Sequence, residues 1–100
     1  MNISRQQKED AEQLKEDMII ECTAHCFWCK KQFAPSFLHM AHRISKAGRH
    51  IKKYRYEVIH HKFNIRITCS DCNSYVLLNP NTIEGEELIK RIELDIINNK

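Results

Sequence analysis

The stretch Asn64 to Asn73, NIRITCSDCN, decides the fold of this chain. Its first half alternates Ile65, Ile67 and Cys69 against Arg66 and Thr68, the period-two pattern of a half-buried strand. Its second half is a C-x2-C pair, Cys69 and Cys72. From Asp71 to Leu78 the sequence predicts a short helix, with Ser70 as N-cap and Asn79-Pro80 as its stop. A second C-x2-C pair, Cys26 and Cys29 in CFWC, lies upstream with 39 residues between the two. Each pair lets two thiolates converge on one ion while the intervening backbone amides turn toward the sulfurs.

Two such knuckles complete a tetrahedral four-sulfur site, the geometry that suits Zn²⁺. An iron–sulfur cluster and a redox dithiol are the alternatives. All four ligands are consumed, so the expected zinc is structural, and it closes a loop around whatever the 39 intervening residues build. Cys22 is left over, a small hydrophobe to which no role is assigned.

Composition supports this reading. One hundred residues make one small domain, or one with helical extensions, and its apolar core alone is modest. With 42% hydrophobic and 29% charged residues and only two Gly and two Pro, disordered, collagen-like and low-complexity classes are excluded. No apolar run approaches the ~18 residues of a membrane span. No secretory signal is evident, so an intracellular, cytoplasmic protein with reduced thiols is expected.

The net charge of +3 conceals a pattern. Residues 1–25 carry −3, residues 26–80 carry +8 and residues 81–100 carry −2. A basic block holding both cysteine pairs, between acidic flanks, is the footprint of a phosphate-rich partner. Arg43, Lys46, Arg49, Lys52, Lys53 and Arg55 are its candidate nucleic-acid contacts, able to position a backbone without reading sequence. The flanks are amphipathic helices. Residues 4–21, with Ser4 as N-cap, place Ala11, Leu14, Met18 and Ile19 at helical spacing, and residues 84–97 do the same with Leu88, Ile89, Ile92, Ile96 and Ile97. Between them, Phe37 to Ile44 is predicted as a short strand carrying His39 and His42. A polar loop over 45–62, partly helical, follows it; its Tyr54 and Tyr56 are expected to pack rather than stack on bases.

With AHRI at 41–44, NIRITCSDCN at 64–73 and CFWC at 26–29, the chain resembles the HNH endonucleases, the His-Me finger or ββα-metal group. It is most similar to their four-cysteine branch, which includes recombination endonuclease VII. The resemblance covers residues 26–80 and implies an α+β fold: a ββα-metal core stapled by a structural zinc on four cysteines. Residues 1–25 and 81–100 then flank it as helices that could also pair in a homodimer. Matched residue by residue, His42 takes the place of the general base and Asn64 that of the residue bracing the loop that positions it. Asn73 takes the place of a ligand to a catalytic Mg²⁺ or other divalent cation. The implied partner is nucleic acid, DNA first, and not a membrane.

One position departs from the family. The residue before the general base usually supplies the other metal ligand, and here it is Ala41. His39, two positions earlier, is the candidate substitute; His60 and His61 are the others if the basic loop folds back. The alternatives to an active nuclease are a zinc-binding nucleic-acid module that has lost cleavage and a zinc-stabilised protein-interaction domain.

Overall fold

The computed structural model describes residues 5–99, so the expected cap at Ser4 lies outside the described residues. The chain is α+β. Helices α1 (Arg5–Glu21), α2 (Gly48–Tyr54), α3 (Tyr56–Ile59) and α4 (Ile83–Asn98) accompany strands β1 (Leu38–His42) and β2 (Ile65–Cys69), which form a two-stranded antiparallel sheet. Two compact units share these elements: residues 1–41 with 66–76, and residues 42–65 with 77–100. No helix among the described residues is long and apolar enough to cross a membrane.

The first unit is held by a small apolar cluster and by the cysteines. Ile19, Leu38 and Ile67 are buried together, with Met18, Cys22, Ala24, Phe33 and Met40 packed around them. Cys22 thus behaves as the small hydrophobe its sequence context suggests. Helix α1 buries only Ile19, so it docks by its C-terminal end, while its exposed length is laced by i,i+4 contacts such as Arg5–Glu9 (3.3 Å) and Gln13–Asp17 (2.9 Å). It ends without glycine: Thr23 and Ala24 take left-handed φ of 51° and 57°, and the Ala24 amide donates to the Ile19 carbonyl at 2.9 Å. The first knuckle is then fastened to β2 by the Phe27 amide, which donates to the Ile67 carbonyl at 2.8 Å.

Strand β1 is shorter than the sequence suggests. Phe37 is drawn into a 3-10 turn over Pro35–Phe37, and Arg43 and Ile44 fall outside the strand because Asn64 takes Ile44's hydrogen bonds. The expected helix over 71–78 is instead a 3-10 segment over Ser70–Val76.

The second unit has the larger core: Ile44, Val58, Ile59, Leu88, Ile89 and Ile92, flanked by Ile51, Tyr54, Phe63, Leu78 and Ile96. The basic loop is here two helices, broken at Arg55, whose φ of 77° and ψ of 153° lie where side chains are strongly disfavoured. Helix α4 starts at Thr82, whose hydroxyl accepts from the Gly85 amide at 3.1 Å, and Glu84 and Glu86 in its first turn complement the helix dipole. Gly85 is required there because a Cβ would strike the backbone of Asn79 and Pro80.

Candidate metal centre and histidine site

In the first unit the sulfurs of Cys26, Cys29, Cys69 and Cys72 all lie within 4.8 Å of one another. A tetrahedral ion with Zn–S bonds of about 2.3 Å needs sulfurs roughly 3.8 Å apart, so four neighbouring thiols of this spacing fit one ion. Cys26, Cys69 and Cys72 are buried. Burial disfavours ionising Cys26, but backbone amides of Cys29, Cys69 and Trp28 at its sulfur outweigh that and lower the thiol to about 6. Cys72 moves the other way, pushed up to about 12 by burial and then by the neighbouring cysteines. One thiolate forms readily and opposes the next, an opposition that a bound cation removes. The four cysteines can therefore hold a structural metal such as zinc.

The same unit carries Asn73, matched to a catalytic metal ligand, and His39, the candidate substitute for the ligand missing at Ala41. His39 is exposed on β1, its Nε2 3.5 Å from Ser70 Oγ, and Asn73 is exposed on the 3-10 segment that Ser70 opens. Ala41 is 1% exposed, so His39 and Ala41, expected on one strand face, differ completely in access. An imidazole and an amide without a carboxylate are a poor donor set for Mg²⁺, which favours charged oxygen ligands, and suit a borderline transition metal better. Among the described residues the cysteine set is the one cluster of three or more His, Cys, Asp or Glu ligand atoms.

His42, Asn64 and the basic residues belong to the second unit. Asn64 is fully buried and clamps the loop that leaves His42. Its Oδ1 accepts from the Ile44 amide at 2.8 Å, and its Nδ2 donates to the carbonyls of Ile44 (3.0 Å) and Ile59 (2.8 Å). On its other side the Arg43 amide donates to the Asn64 carbonyl at 2.7 Å.

His42 is half-buried, with Nε2 3.2 Å from Nδ1 of His60 and the two rings edge to face. Burial, then the charge of His60 and of Lys46, lowers His42 to about 4; burial and then Lys46 lower His60 as well. Both imidazoles are therefore neutral near pH 7. Tyr56 packs against His60 at 4.1 Å between ring centroids, and Tyr54 joins the core, so both tyrosines pack as expected. His61 is engaged elsewhere: its Nδ1 accepts from the Phe63 amide at 3.0 Å, which leaves Nε2–H to donate to Asp95 Oδ2 at 2.7 Å. His50 binds Ser45 through Nδ1. Of the candidate nucleic-acid residues, Lys46, Arg49, Lys52, Lys53 and Arg55 are exposed and Arg43 is half-buried.

His60 is the site residue that spacing places least well, since it lies 18 residues from its partner across two helices. In comparisons with known proteins, no family model, no curated protein and no solved structure matches this chain.

Proposed function

We propose that the chain is a small HNH-type endonuclease that hydrolyses DNA phosphodiester bonds, with His42 as general base and Zn²⁺ as the structural ion of the four cysteines. The observation that carries this reading is the Asn64 clamp. A fully buried amide making three bonds to Ile44 and Ile59 braces the loop directly after His42, the role the middle Asn has in that family. His42 is neutral near pH 7, as a base must be, and its depression to about 4 makes it a weaker base than an ordinary imidazole, so a bound phosphate beside it would have to raise it. It would take a proton from water as the water oxygen attacks phosphorus, and the departing ester oxygen would be protonated from solvent. If Nε2–H donates to His60, Nδ1 is the nitrogen left to accept that proton. Lys46, close enough to depress His42, would meet the phosphate charge.

Ala41 supports a second reading. A methyl group buried in the first unit ligates nothing, so the chain would keep the fold and the basic surface while lacking cleavage. Incubating the protein with supercoiled plasmid and Mg²⁺, Mn²⁺ or Ni²⁺, beside His42→Ala, separates the two. Nicking by the wild type that His42→Ala abolishes is expected. No nicking in any metal favours the degenerate module, and equal nicking by both proteins overturns His42 as the base.

A further inference from the structure

The two cysteine knuckles do more than close a metal site. Phe27 and Trp28 fill the two variable positions of CFWC, and Tyr75 follows Cys72 by three residues. These aromatics stay 44%, 52% and 59% exposed, although the first unit has little apolar surface to bury. Trp28 and Tyr75 stand side by side, ring centroids 5.5 Å apart at 36°. Over Phe27 lie two cations, Lys30 Nζ at 4.7 Å and the Arg66 guanidinium at 5.0 Å from the ring centroid. Lys30, Lys31 and Arg66 share these segments with Asp71, and Glu21 lines the same pocket as Phe27, Lys30 and Arg66, so the cations exceed the anions by one.

We infer that this patch is a stacking platform for unpaired nucleotides of a single-stranded nucleic acid, with Trp28 and Tyr75 taking bases and Lys30 and Arg66 the flanking phosphates. Adjacent exposed aromatics flanked by cations are what an unpaired polyanionic strand requires, because every base offers a π-face and every link a phosphate. A duplex hides its base faces and gains nothing from the rings. The Trp28 backbone amide is bound to the Cys26 sulfur, which fixes the main chain from which the ring projects. This inference goes beyond the nuclease reading and uses neither His42 nor cleavage.

Trp28 is the single tryptophan of the chain and so reports directly on its own site. The metal-loaded protein is titrated with fifteen-nucleotide oligo-dT, oligo-rU and a duplex of the same length, and Trp28 emission is followed. Saturable quenching by the single strands is expected, weakening as salt rises, whereas the duplex, even where it binds the basic residues of the second unit, leaves Trp28 emission nearly unchanged. The tighter of dT and rU identifies DNA or RNA as the source of the strand. By anisotropy of a labelled oligonucleotide, Tyr75→Ala and Trp28→Ala should each weaken binding about fivefold or more. Tyr75→Phe and Trp28→Phe, which keep a ring, should bind close to wild type with the metal content unchanged. Absent quenching, equal quenching of Trp28 by the duplex, or wild-type binding by Tyr75→Ala would overturn the inference. So would self-association of the wild type that Trp28→Ala abolishes in a protein that binds no oligonucleotide. Plasmid nicking plays no part in these readouts, so the two proposals stand or fall separately.

Discussion

His42 Nε2 and His60 Nδ1 face each other at 3.2 Å, a separation that leaves room for one hydrogen between two nitrogens. Both rings protonated would set two donors against each other beside Lys46. The pair therefore is not doubly protonated, and one ring donates while the other accepts. His42 accordingly titrates at about 4 rather than 6.5, for burial first and the His60 and Lys46 charges second. The unfolded chain binds the proton first, so stability is complete above pH 6.5 and is lost as pH falls through 4. After allowance for partial exposure the loss is on the order of 1–2 kcal/mol. Ring-proton NMR titration of His42 checks the value directly, and urea unfolding at pH 7.5 and 4.5 checks the slope. His60→Ala, which lets water into the site and removes one charge, should move His42 back toward 6.5. A His42 that titrates near 6.5 in the wild type would show that the pair is not formed.

Asn64 is the second point at which chemistry and fold coincide. Truncating it to Ala leaves the Ile44 amide and the carbonyls of Ile44 and Ile59 without their partner in a buried place. Unsatisfied buried groups cost about 1–3 kcal/mol each, less where water enters, so a loss of roughly 2–4 kcal/mol is expected. Asn64→Asp should be at least as damaging, because a carboxylate cannot donate to two carbonyls. Denaturant unfolding gives the magnitude. Amide exchange at Ile44, faster in the variant, locates it.

Features set by short spacing were legible in the sequence. The two C-x2-C pairs were, as were α1 and α4, whose apolar residues repeat at helical intervals. That Asn64 braces a loop was an expectation from the resemblance, and its bonds to Ile44 and Ile59 are compatible with it. The division of the basic loop into α2 and α3 was not, because the break occurs at Arg55, a residue type with no preference for positive φ. His60 and His61 were alike candidate substitute metal ligands, and nothing in the sequence pairs His60 with His42. Nothing local in the sequence separates two adjacent histidines, and Asp95, 34 residues downstream, claims the second. The 3-10 form of Ser70–Val76 was also hidden, since Ser70 as a cap and Asn79-Pro80 as a stop frame an ordinary helix, although Ser, Asp, Cys, Asn, Tyr and Val are all weak helix formers.

Metal removal should separate the two units. In the first, Cys26, Cys69 and Cys72 form a cluster of their own beside Phe33, and the apolar core is small. Structural zinc contributes on the order of 10 kcal/mol in isolated finger peptides, comparable to the whole stability of a domain. Chelation, or Cys69→Ser, should therefore erase hydrogen-exchange protection across residues 22–41 and 66–76. Protection at Ile59 and Leu88, in the core of the second unit, should survive longer. Elemental analysis should find one zinc per chain. Zinc-free protein with unchanged protection would refute the structural role.

Gly85 tests the packing of α4 against the turn that precedes it. Alanine favours a helix interior by about 1 kcal/mol over glycine. At this position, however, the added Cβ would meet the Asn79 carbonyl and come within 2.7 Å of Pro80 Cα, both backbone atoms that cannot rotate aside. Gly85→Ala should therefore destabilise by a net of about 1–3 kcal/mol, the reverse of the propensity effect. Thermal unfolding of the variant decides the sign.

Arg55 sets stability against binding. Its backbone lies in a region populated almost entirely by glycine, and strain of this kind costs about 1–3 kcal/mol. Glycine removes the strain but enlarges the entropy of the unfolded chain by roughly 0.5–1 kcal/mol. Arg55→Gly should thus stabilise by about 1 kcal/mol, a rise of several degrees in Tm. The exposed guanidinium is among the charges expected to meet phosphate. The same variant should bind duplex DNA more weakly, with a salt dependence shallower by about one counterion. Higher Tm with unchanged salt slope would mean that the strain serves the break between α2 and α3 alone. Unchanged Tm would mean that the basic segment relaxes around this residue, and the two helices would then need another reason to part.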